Sequence, residues 1–128
     1  MPLASKKKAP KLLPPKKLFG QEGETRATHF LVNKGWQILE RNVQLGHQEI
    51  DIIAFDPQYQ EIVFVEVKTR HHNDYGDPAL AVNERKLRAL TTASAKYIQN
   101  HHCHHDYRFD IIAVLPEKIE HFVNVTWP

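Results

Sequence analysis

The sequence predicts an α/β domain in which a mixed sheet of about five strands is flanked by helices, in the order αβββαββ. Three observations predict it. Runs rich in Ile, Val and Phe recur at strand length over 36–43, 48–55, 61–70, 107–115 and 119–125. Two stretches, 21–34 and 83–100, carry apolar residues at helical spacing. A helix also separates the third strand from the fourth, and that kind of crossover makes two strands parallel.

In the first helix the apolar positions are Ala27, Phe30 and Leu31, and Gly35 stands where a C-terminal cap belongs. Glu24 lies one turn before Ala27 and shares its inward stripe. The segment "WQILERNV" reads as the first strand, "QEIDIIAF" as the second and "EIVFVEVKTR" as the third, with "DPQYQ" turning between the last two. Three consecutive strands form a meander. A loop, "HHNDYGDPALAV", leads to Asn83, which can cap a second helix running to about Asn100 with Leu87, Leu90 and Ile98 inward. After "HHCHHD" come the fourth strand, "YRFDIIAVL", and a more polar fifth, "IEHFVNV", suited to a sheet edge.

A chain of 128 residues, 41% hydrophobic and 25% charged, has the size and composition of one globular domain with a single core. That domain is expected over 19–128. Residues 1–18 hold six lysines and no acid, although the whole chain has a net charge of only +2. With prolines at positions 2, 10, 14 and 15, this segment is expected to be an extended, disordered tail. Its lysines suit either a solubilising tail or an arm that displaces counterions from nucleic-acid phosphates. One cysteine, Cys103, excludes an intramolecular disulfide framework. No apolar run is long enough for a membrane span, and the start lacks the apolar segment of a secretory signal, so the expected location is the cytoplasm, with no membrane partner.

Charges interrupt the two central strands. Glu66 and Lys68 alternate onto one face of the third strand, opposite Val63, Val65 and Val67. Hairpin pairing with the second strand brings up Asp51, with Glu49 nearby, and Glu24 can join from the first helix. A solvated cross-strand ion pair would explain an isolated ExK. Here Ile62 and Phe64 precede Glu66 on its face, and Ile53 and Phe55 follow Asp51, so both faces should be covered. Two carboxylates about 4 Å apart repel by roughly 4 kcal/mol at an effective dielectric near 20. A hard divalent cation such as Mg²⁺ would resolve that conflict, because it accepts one or two carboxylates and leaves positions for water and phosphate. Such a centre polarises a phosphodiester, and a neighbouring lysine can orient water or neutralise developing charge.

"EID" at 49–51 followed by "EVK" at 66–68 resembles the signature of the PD-(D/E)xK nuclease superfamily, with Ile50 in place of its proline. More closely, the chain resembles the YraN family of bacterial proteins, similar in turn to archaeal Holliday junction resolvases. The matching pieces are Gly23-Glu24 with Ala27, Arg41-Asn42, "EIDII" at 49–53, "FVEVKTR" at 64–70, "YGDP" at 75–78, Lys86 and "RFDII" at 108–112. The resemblance implies a restriction-endonuclease-like core, with Asp51, Glu66 and the Val67 carbonyl holding Mg²⁺ or Mn²⁺. It implies Lys68 near the nucleophilic water and Glu24 as an accessory acid. The function expected is a Mg²⁺-dependent endonuclease acting on nucleic acid, above all DNA, with branched DNA as one candidate form. The rival reading is a noncatalytic nucleic-acid-binding module on the same scaffold, and a third is a structural ion-pair network. A homodimer presenting two sites is left open.

Weaker signals lie elsewhere. Arg70 and Lys86 are candidates for lining a nucleic-acid groove beyond Lys68. Arg108 alternates with Asp110 on one strand face and suits either an ion pair at the sheet end or a phosphate contact. "HHCHH" at 101–105 packs borderline ligands together, but such spacing needs an irregular loop to surround one ion, which favours a solvated loop over a zinc site. Trp36 and Tyr97 read as packing residues.

Overall fold

The computed structural model describes residues 15–71 and 84–125. They form α1 (Pro15–Asn33), β1 (Gln37–Leu45), β2 (Gln48–Asp56), β3 (Glu61–Thr69), α2 (Glu84–Asn100), β4 (Asp106–Val114) and β5 (Ile119–Phe122). The order is αβββαββ, as the sequence predicts. The sheet runs β1-β2-β3-β4-β5, with β3 and β4 parallel and every other pair antiparallel.

α1 starts six residues earlier than the apolar stripe suggests. Pro15 suits a first helical turn, where its missing N–H has no partner to lose and its φ is already helical. Residues 15–18 of the expected tail are therefore helical, and residues 1–14 lie outside the described part, as do "YGDP" and the proposed cap Asn83. At its other end the helix closes as expected. Gly35 has φ 90°, its N–H donates to Val32 O at 2.9 Å, and the Trp36 N–H reaches back to Leu31 O at 3.1 Å. That double bond with a left-handed glycine is the Schellman closure.

A helix covers each face of the sheet. Ala27 and Leu31 of α1 pack on Ile52, Ala54, Val63, Val65, Ile112 and Val114, with Trp36 beside them. Leu90 and Tyr97 of α2 pack on Ile50, Ile53, Ile62, Phe64 and Phe109, with Ile98 joining. The central strands are thus buried on both sides, which is why they read as nearly continuous apolar runs. Tyr97 also donates its hydroxyl to Glu40 Oε2 and so ties α2 to β1. Burial and the Glu40 carboxylate together push that hydroxyl above its ordinary pKa.

β5 ends at Phe122, three residues short of the sequence expectation. The chain leaves the ladder because the Asn124 N–H donates to Asp110 Oδ1 at 2.9 Å and Asn124 adopts φ 53°. Val125 then crosses to the α2 side, its N–H reaching Phe109 O.

Candidate active site

The site forms where β2 and β3 part. Their pairing ends at Ile52↔Val65, and the next carboxylate of β2, Asp51, accepts the Val67 N–H at 2.8 Å in place of a ladder bond. Alternation along β2 breaks at the same point. Ile52 belongs to the α1 cluster, yet Ile50 and Ile53 both belong to the α2 cluster. β1 breaks in step: Asn42, which lies opposite Asp51 between the pairs Arg41↔Ile52 and Val43↔Ile50, has φ 53°. Asparagine is among the residues that tolerate this conformation. The consequence is that Asn42 and Asp51 leave the two-residue rhythm together, and both meet Glu24 of α1.

Glu24 is held from two sides. With its amide turned so that the NH₂ faces the acid, Asn42 donates to Glu24 Oε2 at 2.8 Å. Arg41 Nη2 stands 3.9 Å from the same oxygen. Gly23 explains how the helix comes so close. A Cβ at position 23 would lie 2.0 Å from Thr69 Oγ1 and 3.0 Å from Thr69 Cβ and Cγ2. Only glycine permits α1 to seat against the end of β3 and deliver Glu24 to Asp51.

Glu66 and Lys68 project from β3 on the α2 side, as alternation requires, and form an ion pair at 3.1 Å between Oε1 and Nζ. Glu24 and Glu66 side chains are each 17% exposed and that of Lys68 is 21% exposed. Asp51 carries the electrostatic strain. Burial first, then the Glu66 carboxylate, then Glu24 push its carboxyl up to about 7, against the Val67 N–H, which lowers it. Glu24, Asp51, Glu66, Val67 and Lys68 are thus brought together as the sequence predicts. Glu49, expected nearby, is exposed and is not among the groups that shift Asp51.

The ligand chemistry suits a hard cation: two carboxylates, Asp51 and Glu66, stand beside the Val67 peptide that Asp51 fixes. Among the described residues no three of His, Cys, Asp or Glu are gathered to hold an ion by themselves. Mg²⁺ ordinarily takes one or two carboxylates and fills its remaining positions with water and substrate, so this donor set fits it.

Of the expected nucleic-acid contacts, Arg70 follows directly on Lys68. Its backbone N–H donates to Val114 O at 2.9 Å and its Nη1 to Thr69 O at 3.1 Å. Lys86 lies in the first turn of α2, and its side chain is outside the described part. Arg108 requires correction as a phosphate contact. It is 6% exposed and engages Asp110 at 3.0 Å, Glu61 at 2.9 Å and Asp56 at 3.1 Å. Burial opposes its charge, but these carboxylates, Asp110 foremost, outweigh that and raise its pKa. A guanidinium saturated by three acids is the ion-pair alternative, here in a buried cluster.

That cluster extends further than the sequence suggested. His121 Nε2 lies 2.7 Å from Asp110 Oδ2, and Lys34 Nζ lies 2.9 Å from His121 Nδ1. Because an ammonium can only donate, Nδ1 accepts and Nε2 carries the proton to Asp110. Burial raises the Asp110 carboxyl, but hydrogen bonds from His121, Arg108 and the Asn124 N–H prevail and hold it below the ordinary carboxylate range. In the histidine loop, His101 stacks on Tyr97, His105 tilts on Phe55, and Cys103 packs at the edge of the α2 cluster. The four histidines there are exposed.

The sequence profile of the uncharacterised protein family UPF0102 matches residues 23–114, which span the whole site from Gly23 to Lys68. A UPF0102 protein of Pelobacter propionicus is 44% identical over 111 residues, covering 82% of this chain and 79% of its own length. A UPF0102 protein of Phocaeicola vulgatus is 36% identical over 115 residues, covering 86% and 93% respectively. Among solved structures, a repair endonuclease from Pyrococcus abyssi is similar at a TM-score of 0.44 and 14% identity, over 85% of this chain. The chain spans 42% of that protein's length. With a profile match over most of the domain and relatives this similar, the chain belongs to family UPF0102, the YraN family to which the sequence motifs pointed.

Proposed function

We propose that this protein is a divalent-cation-dependent endonuclease that hydrolyses phosphodiester bonds in DNA, including branched DNA. The observation that carries the proposal is Asp51: a half-buried carboxyl facing Glu66 and Glu24, raised to about 7, is an arrangement that a cation would relieve. Asp51, Glu66 and the Val67 carbonyl would hold Mg²⁺ or Mn²⁺, which when bound supplies Lewis-acid polarisation of the phosphodiester and a more acidic water. Lys68 stands beside Glu66, where its ammonium would orient that water or neutralise charge on the phosphoryl oxygens. Glu24 serves as the accessory acid, held in place by Asn42 and Arg41. Arg70 and Lys86 contact the backbone beyond the scissile bond. The cytoplasm, where nucleic acid is at hand and a lone cysteine stays reduced, is the expected location.

A second reading has one observation in its favour. The Glu66–Lys68 pair at 3.1 Å satisfies both groups without a metal, as a noncatalytic nucleic-acid-binding module would require. One experiment separates the two. Linear, single-stranded, flapped and four-way DNA are incubated with the protein in Mg²⁺ or Mn²⁺, alongside Lys68→Ala. The endonuclease reading expects cation-dependent cleavage by the parent and a loss of it in Lys68→Ala, with binding retained. Binding without cleavage of any substrate by the parent would establish the module instead.

A further inference from the structure

The charge of the folded domain is segregated. From Arg85 to His105 the sequence contains no acid but has Arg85, Lys86, Arg88, Lys96 and four histidines, whereas the rest of 19–128 has seven basic against fifteen acidic residues. Most of this basic segment is α2. Arg85, Arg88, Thr92 and Lys96 follow one another at steps of three, four and four, which is one helical face, and all four are exposed. At 1.5 Å per residue the stripe is about 16 Å long.

Both ends of the stripe are fixed by packing. At its start, Leu87 and Leu90 line a small gap with Ile50 and Glu66, so the first turns of α2 lie against the proposed active site. Towards its other end, Thr92 and Lys96 form one wall of an open groove of about 570 Å³. The opposite wall is the β1–β2 hairpin, which presents Gln44, His47 and Gln48, the last only three residues before Asp51. The floor is apolar, made by Leu45, Ala89, Ala93 and the buried Tyr97. Among the described residues, no carboxylate lines it.

We propose that this groove receives an unpaired strand of nucleic acid, whose phosphates follow Arg85, Arg88 and Lys96 away from the active site. Charge complementarity selects the ligand class: in an otherwise acidic domain, a channel with Lys96 in its wall, Arg88 and Arg85 continuing the same exposed helical face, and no acid among its described lining residues favours a polyanion. Shape selects the single strand. The groove is concave and of the size that encloses a small ligand, with an apolar floor for a base and amide rims for its edges. A duplex is instead read by a convex element laid into it. This inference rests on the nucleic-acid reading above and adds where, and in what form, the strand is held.

The test is binding of a fluorescein-labelled 12-nucleotide single strand, and of a duplex of the same sequence, to the full chain in chelator, so that cleavage plays no part. Arg88→Glu and Lys96→Glu should each weaken single-strand binding at least tenfold. Each should also flatten the dependence of log affinity on log salt by about 0.7 for every phosphate that is no longer neutralised. Ala93→Phe, which fills the floor without changing charge, should weaken it about fivefold. Lys118→Glu, in the turn between β4 and β5 towards the sheet edge opposite β1, should leave it unchanged, and melting temperatures confirm that each variant is folded. Three results would overturn the inference while leaving the nuclease reading intact: parental affinity in both charge variants, indifference to Ala93→Phe, or tighter binding of the duplex than of the single strand. A parent that binds neither probe would defeat the nucleic-acid reading itself.

Discussion

Asp51 Oδ2 accepts the Val67 N–H at 2.8 Å at the position where β2 and β3 cease to pair. A side chain thus completes the backbone ladder and, in doing so, is drawn out of the alternating rhythm of its strand towards Glu24. The carboxylate that closes the sheet is the one that opens the site.

Asp51 makes the domain's stability depend on pH in a stated direction. Its folded-state pKa, about 7, is above its ordinary 3.8, so the folded state holds the proton longer than the unfolded chain. Stability therefore falls as pH rises from about 4 to 7 and levels off above that. The shift sets an upper bound of about 4 kcal/mol. Asp51→Asn, which keeps an acceptor for the Val67 N–H, should melt like the parent near pH 4 and several degrees higher at pH 8 in chelator. Parallel melting curves across pH would contradict the raised pKa.

Adding Mg²⁺ or Mn²⁺ at pH 8 should close that gap from the parent's side. At about 100 times Kd, a cation bound only by the folded state adds roughly 2.7 kcal/mol, which is several degrees in Tm. Asp51→Asn should respond far less. A parent whose melting ignores both cations would remove the metal from the site.

Gly23→Ala tests the close approach of α1 to β3. In a free helix the change would stabilise by about 1 kcal/mol, but here the new methyl meets three atoms of Thr69 at 2.0 to 3.0 Å. The clash should win, costing about 1–3 kcal/mol net in chemical denaturation. Thr69→Ala removes the hydroxyl and the γ-methyl and should recover part of the loss. Additive effects of the two changes would mean that the helix does not seat there.

Arg108→Met leaves Asp56, Glu61 and Asp110 buried or half-buried with no cation among them, and should cost about 3–5 kcal/mol. Asp110 adds a pH signature. Its folded pKa is depressed, so its contribution is present above the ordinary carboxylate pKa and is lost as pH falls through the folded value. Without Arg108 that acid-side loss should shrink. Cation-induced stabilisation should persist, since this cluster lies apart from Asp51. A variant as stable as the parent would show that the guanidinium is solvated rather than buried.

Deleting residues 1–14 removes Lys6, Lys7, Lys8 and Lys11 while leaving α1 intact. If the tail contacts phosphates, the salt slope of duplex binding should flatten by as much as about 3 to 4. An unchanged slope would make the tail a solubiliser.

Much of the fold and of the site was legible in the sequence because period and chemistry agreed. β3 announces itself through Val63, Val65 and Val67 on one face and Glu66 and Lys68 on the other, and α1 through the stripe from Glu24 to Leu31. What could not be read was where the period fails. Nothing in "ERNV" or "EIDI" states that Asn42 turns left-handed and that Asp51 leaves its strand face in step. A two-residue alternation assigns Asp51 to the side of Ile53, whereas it meets an acid from the α1 side. The one local hint was asparagine itself, together with Gly23 inside a helix, where glycine needs a packing reason. Arg108 was legible in part: its pairing with Asp110 follows from their alternation on one strand face, but its partners Asp56 of β2 and Glu61 of β3 are visible only once those strands are side by side.

The irregularities of β1 have a consequence for how copies of this chain can meet. As the outermost strand on its side, the nine-residue β1 would offer the outward-facing N–H and C=O groups of every second residue to a neighbour, an open template for sheet extension. It is spoiled twice, by the bulge between Ile38 and Glu40 and by the left-handed Asn42, with Glu40 and Arg41 placed between them. A strand that twists out of register at two points is a poor template for pairing with a second copy of itself. The kink that aims Asn42 at Glu24 therefore also disfavours fibrillar self-association along this edge.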